Sequence, residues 1–107
     1  MSDDLEKEWR ERLVKSNLDL IVLRLLKEKQ RWGYEISVEI RDRLNVYLSA
    51  GTLYPLLHSL EDVGLIEAIW ESETRRGRRI YRITRRGARF LSAGEKASEI
   101  FRRMRAE

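Results

Sequence analysis

The hydrophobic periodicity of this chain changes at Gly64, and that change limits its possible folds more than any other feature. Before Gly64, apolar residues recur every three or four positions, as helices require. After it come two runs rich in β-branched and aromatic residues, separated by an arginine-rich stretch around Gly77. Gly64 itself fits the left-handed position just past a helix end. Leu65 would then face Leu60, the apolar contact that accompanies such an end.

Several amphipathic segments precede that point. Residues 3–15 carry Leu5, Trp9 and Leu13 at spacing four, one narrow stripe suited to a neighbouring helix or a partner subunit. In residues 17–29, Leu18, Ile21, Val22, Leu25 and Leu26 follow the helical pattern. Leu20 and Leu23 widen their surface nearly all round, so this helix is expected at the centre, capped by Ser16 or Asn17. A polar turn over 29–33 follows, then a short helix over 34–44 with Ile36, Ile40 and Leu44 on one side. After a turn at 45–48, Ser49 can cap a further helix whose buried stripe is Leu53, Leu56, Leu57 and Leu60. Pro55 predicts that this helix starts near 51–53 or bends there, because proline is comfortable only in a first turn.

Beyond Gly64, residues 65–71 and 79–84 read as a β-hairpin with a loop over 72–78. Two faces compete for burial: Ile66, Ala68 and Trp70 against Leu65 and Ile69, and Tyr81 and Ile83 against Ile80. Trp70 is expected to cover the core under the loop. Thr84 can cap a last helix running to about residue 105. Phe90, Ala97 and Met104 recur there at spacing seven, with Ala93 and Ile100 between and Phe101 alongside, a short heptad seam. Such a helix is about 30 Å long, and its projecting seam predicts a homodimer. The 107 residues suit one domain, divided as an N-terminal helix packing on the dimer (1–16), a central domain (17–84) and a C-terminal dimerisation helix (85–107).

Charge is distributed unevenly. Residues 1–73 hold 10 basic and 15 acidic side chains, whereas residues 74–107 hold 12 and 3. Between Thr74 and Gly94 stand eight arginines and no acid. That asymmetry is the footprint of a polyanion binder. No cysteine and one histidine, His58, leave no thiolate or histidine-cluster metal site. No phosphate-cradling glycine loop or nucleophile–base pair appears, so neither an enzyme nor a cofactor is expected. No apolar run approaches the roughly 20 residues of a membrane span. With an acidic start (Asp3, Asp4, Glu6) unlike a leader, a cytoplasmic location is expected. Scarce amide residues (Gln30, Asn17, Asn45) beside 37% charged ones suggest a heat-tolerant host.

Three helices, two strands and an extra helix at each end outline a winged helix–turn–helix, mainly α with a small β-hairpin. In that layout Arg75, Arg76, Arg78 and Arg79 form a wing over phosphates, with Arg82, Arg85 and Arg86 a secondary basic patch. Ser49 and Thr52 open the helix that would enter the major groove of double-stranded DNA, where free N–H groups and hydroxyls meet phosphate or base edges. Tyr54 and His58 lie on its outer side as candidate base or backbone contacts; Tyr54 could instead be a core tyrosine and His58 a plain surface residue. Tyr34 could contact phosphate or pack under the turn. One rival is an architectural, sequence-neutral DNA coat. Another is a protein-binding winged helix, for which Glu61 and Asp62 are the local hint.

Gly33-Tyr34-Glu35-Ile36, the string from Gly51-Thr52-Leu53-Tyr54-Pro55 through Leu60-Glu61, Gly64-Leu65-Ile66, and Arg79-Ile80-Tyr81-Arg82-Ile83-Thr84 with Gly87 together resemble the PadR family. The likeness spans about residues 18–91. It implies a homodimeric winged-helix transcription factor, usually a repressor, and accounts for Pro55, since the family carries a proline at that place. It also implies dimerisation through the C-terminal helix with help from the N-terminal one. For Leu5, Trp9, Leu13, Phe90, Ala97, Ile100, Phe101 and Met104 that agrees with the apolar stripes. Many members respond to small aromatic or cationic effectors. Some stack the ligand on a C-terminal tryptophan, which this chain lacks, having Phe90 and Phe101 in that region.

Overall fold

The computed structural model describes residues 2–71 and 78–105, without the side chains of Ser2, Glu71 and Arg78. Its elements run α1 (Ser2–Ser16), α2 (Leu18–Glu28), β1 (Arg31–Trp32), α3 (Gly33–Leu44), α4 (Ala50–Asp62), β2 (Ile66–Glu71), β3 (Arg78–Ile83), α5 (Arg85–Ala97) and α6 (Ile100–Arg103). The architecture is the expected one, mainly helical with a small antiparallel sheet.

Helix α2 is the centre. Leu18, Val22, Leu23, Leu25 and Leu26 are buried, packed with Ile36 and Ile40 of α3, Leu53, Leu57 and Leu60 of α4, and Leu91 of α5. Asn17 stands at its start, yet the side-chain amide donates back to the Leu13 carbonyl (2.8 Å) instead of capping α2. Helix α3 stops at Asn45, whose φ of 56° places it in the left-handed region that asparagine tolerates.

Helix α4 begins at Ala50, earlier than its proline suggested, and holds Pro55 inside. Pro55 has no N–H for the Gly51 carbonyl, and its exposed position lets water serve that oxygen. The end of α4 is as read from the sequence. Gly64 has φ +78°, its N–H donates to Glu61 (3.0 Å), and Leu65 N–H reaches back to Leu60 (2.9 Å), the Schellman pattern.

The sheet has a third strand that the sequence reading took for a turn. Arg31 and Trp32 pair with Tyr81 and Ile80, giving strand order β1-β3-β2. Arg31 is buried there because its charge is met: Nε donates to the Leu25 carbonyl (3.2 Å) and Nη2 to Glu28 (2.8 Å). The competition between faces resolves as Ile66 and Ala68 opposite Ile83 and Tyr81, all turned toward the core, while Leu65 of the other set is buried too, just before β2 begins. Trp70 does not cover the core; it is 62% exposed, beyond the reach of the buried layer.

The single long C-terminal helix is also corrected. It breaks after Ala97, and Ser98 Oγ donates to the Glu95 carbonyl (2.6 Å) before the short α6 resumes. The start of α5 is as expected, with Thr84 Oγ1 accepting the Gly87 N–H (3.0 Å).

Glu28 links α2 to its neighbours, since Arg43 of α3 donates to both carboxylate oxygens at 2.8 Å while Arg31 donates to one. The Arg43 hydrogen bonds, joined by its charge and by Arg31, hold the Glu28 carboxyl down at about 2 from its usual 4.5. A carboxyl lowered on folding contributes stability above its unfolded value and loses it as pH falls. Melting midpoints should therefore drop between about pH 4.5 and pH 2, and the Glu28→Gln protein should show a shallower drop over that window. Parallel acid titrations of the two proteins by circular dichroism check this; superimposable curves count against it.

Candidate nucleic-acid interface

Burial of Leu53, Leu57 and Leu60 turns the opposite side of α4 outward, and Ser49, Thr52, Tyr54 and His58 are all exposed on it. The hydroxyls of Ser49 and Thr52 lie 3.1 Å apart and pair with each other, so no side chain caps the helix. The first N–H groups of α4 thus stay open at its positive end, where an anion is favoured. No acid stands in the first turn to oppose one.

Tyr54 is neither core nor free. It is 40% exposed, and its ring lies over Gly33 so closely that a Cβ there would meet the ring and hydroxyl at 2.7 Å. That contact joins α4 to the start of α3, where Tyr34 is 58% exposed. Glu35 steadies the same corner by accepting the Trp32 N–H (3.1 Å), and the rings of Trp32 and Tyr34 stand 5.5 Å apart. Tyr47, in the turn before α4, was overlooked in the sequence although it is the most exposed aromatic near this face, at 77%. Its signal was alternation: Val46 is buried and Leu48 half-buried, which leaves the residue between them pointing out.

Of the basic residues, Arg75 and Arg76 lie outside the described residues, as does the side chain of Arg78. Arg79 is described, and it is engaged. Its Nη2 bonds both carboxylate oxygens of Glu61 at the far end of α4 (2.8 and 2.9 Å). Arg82 pairs with Glu67 across the strands, while Arg85, Arg86 and Arg89 are exposed along α5.

Two further faces are apolar and open. On α1, Leu5, Trp9 and Leu13 are 61%, 56% and 54% exposed, with the Arg12 guanidinium 4.5 Å over the Trp9 ring. Toward the C-terminus, Phe90, Ala97, Ile100, Phe101 and Met104 are exposed too. A separate apolar hollow of about 300 Å³ lies between α2, α3 and α5, walled by Leu20, Ile21, Leu25, Ile40, Leu44 and Leu91. Among the described residues no acidic or histidine group is placed to hold a metal, and no helix is long and apolar enough to cross a membrane.

Residues 22–93 match the family model described as the transcriptional regulator PadR-like family. A protein of Lysinibacillus sphaericus with no assigned function is 42% identical over 83 residues, covering 75% of this chain and 76% of its own. The crystal structure of a PadR family transcriptional regulator from Eggerthella lenta superposes with a TM-score of 0.80 at 30% identity, covering 94% of this chain and 88% of that one. Bacillus subtilis PadR, solved in complex with operator DNA, shares the fold with a TM-score of 0.65 at 24% identity, over 71% of this chain and 44% of that one.

Proposed function

This chain belongs to the PadR-like family of transcriptional regulators, which are not enzymes, and from that premise we propose that it is a sequence-specific repressor acting on double-stranded DNA as a homodimer. The observation that carries the proposal is the outward face of α4. It presents Thr52, Tyr54 and His58 beside an uncapped helix N-terminus, on an element whose other face is fixed in the core. Side chains set on a rigid helix can meet base edges in the major groove, while Ser49 and Tyr34 sit at the rim where phosphates pass. Arg75, Arg76 and Arg78, in the basic run between β2 and β3, would meet phosphates of the adjacent backbone, a role that the charge distribution supports. That a regulator of the same fold was solved in complex with operator DNA supports double-stranded DNA as the partner.

Two subunits would join through the open stripes, Leu5, Trp9 and Leu13 of one against Phe90, Ala97, Ile100, Phe101 and Met104 of the other. A two-fold pair reads half-sites one helical turn apart, or a multiple of it.

The test is a titration against the tightest duplex selected from a randomised pool and a scrambled control, at several salt concentrations. At least a roughly thousandfold preference for a palindromic site is expected. Equal affinity with a steep salt dependence would replace the repressor with a sequence-neutral coat protein. Absence of binding to either duplex at low salt would remove DNA from the account.

A further inference from the structure

Arg79 has the composition of a wing residue and the surroundings of a fixed strut. Its guanidinium is held by Glu61 from α4, and its carbon centre lies 5.7 Å from the ring centroids of both Trp70 and Tyr81. Trp70 is its cross-strand partner in the β2–β3 register. Nε is buried and has no hydrogen-bond partner among the described residues. The two aromatic contacts and the ion pair therefore define one position for this cation, at the seam between the recognition helix and the strands that carry the loop.

Glu61 stands in the last turn of α4, where the helix dipole disfavours a carboxylate. Its carboxylate is also the group that most resembles a DNA phosphate to an arginine. An acid at that place lowers attraction for DNA in general, and it engages a cation that could otherwise reach any phosphate.

We propose that Glu61, by holding Arg79 between Trp70 and Tyr81, is a positioning residue for DNA specificity: it keeps Arg79 from indiscriminate phosphate contact and fixes the strands at one angle to α4. This rests on the DNA-reading function proposed above. In the complex, α4 and the β2–β3 strands then approach DNA as one unit. A sequence that does not admit α4 also keeps the strands from the backbone, and discrimination rises without any base contact from Glu61 or Arg79.

Three full-length variants test this against the selected and scrambled duplexes over a salt series, with thermal melts as the folding control. Glu61→Gln frees Arg79. It is expected to tighten binding to the scrambled duplex, to steepen its logarithmic salt dependence by about one unit, and to reduce the selected-to-scrambled ratio by about tenfold. Arg79→Met removes the strut and its cation together, so the ratio should fall while the scrambled slope stays at the wild-type value. Arg79→Lys keeps the charge but not the planar fork; it should reproduce the steeper slope, and it stands in if Glu61→Gln does not fold.

A slope lowered by about one unit in Arg79→Met would make Arg79 itself a phosphate contact and overturn the assignment. So would Glu61→Gln or Arg79→Lys with both ratio and slope unchanged, since a purely structural pair moves only the melting midpoint. Wild-type protein that prefers neither duplex defeats the DNA-reading function and this assignment with it; a wild-type preference that the variants leave intact defeats this assignment alone.

Discussion

Gly87→Ala is expected to lower the melting midpoint by about 10 °C or more, the largest loss among the glycine-to-alanine changes of the described residues. A Cβ at Gly87 would lie 2.0 Å from the Leu65 carbonyl oxygen and 2.8 Å from Ile83 Cγ1. The first of these is backbone, and it is pinned: Leu65 N–H is bonded to Leu60, and the same carbonyl accepts Thr84 N–H (3.1 Å). No rotamer change relieves the clash, so α5 must move away from the α4–β2 junction. Overpacking of this kind costs about 3 kcal/mol at the upper end of its common range, and each kcal/mol shifts a domain of this size by about 4 °C. Calorimetry on the two proteins decides the matter. An unchanged midpoint would mean that α5 slides on the sheet at little cost.

The second large effect concerns assembly. Phe101→Glu is expected to convert a dimer to a folded monomer. Phe101 is 78% exposed, so the isolated chain loses little from the change, and circular dichroism should be unaltered. In a two-fold interface every substitution occurs twice. With about 2 kcal/mol for each buried aromatic anchor, the dimer dissociation constant should rise roughly a thousandfold. Trp9→Glu on the facing stripe is expected to act in the same direction, and operator binding should weaken in both. Sedimentation velocity at micromolar protein gives the answer, and a Phe101→Glu protein that sediments as a dimer would move the interface elsewhere.

Local rules explain which features were legible beforehand. Gly64 with Leu65 and Leu60, Thr84 with Gly87, and the stripe on α4 depend on neighbours within five residues, so their spacing carries the information. Arg31–Trp32 could not be read as a strand, because two residues have no periodicity and Arg31 owes its burial to Glu28 and Leu25. Trp70 looked like core because it continues the face of Ile66 and Ala68; the buried layer ends before it does. The interruption at Ser98 and Glu99 left the heptad spacing untouched, so the pattern alone continued the helix through it. The pairing of Glu61 with Arg79 joins residues eighteen positions apart on different elements. Each charge alone resembles an ordinary solvated one. The candidate site was accordingly legible on α4, where Ser49, Thr52, Tyr54 and His58 follow from helical phase. Tyr47 and the strut at Arg79 needed the folded chain.

A single oxygen sits at the junction of the end of α4 and the start of α5. Thr84 Oγ1 donates to the Gly64 carbonyl (2.7 Å) and accepts from Gly87 N–H (3.0 Å), so the tail of α4 and the head of α5 meet at one atom. The two helix ends thus share one hydroxyl, placed like the elbow of a caliper. In the homodimer proposed above, the gap between the two reading helices would be set by how the α5 arms cross. Anything that widened or narrowed that crossing would change the gauge of the instrument, and with it the length of DNA that fits.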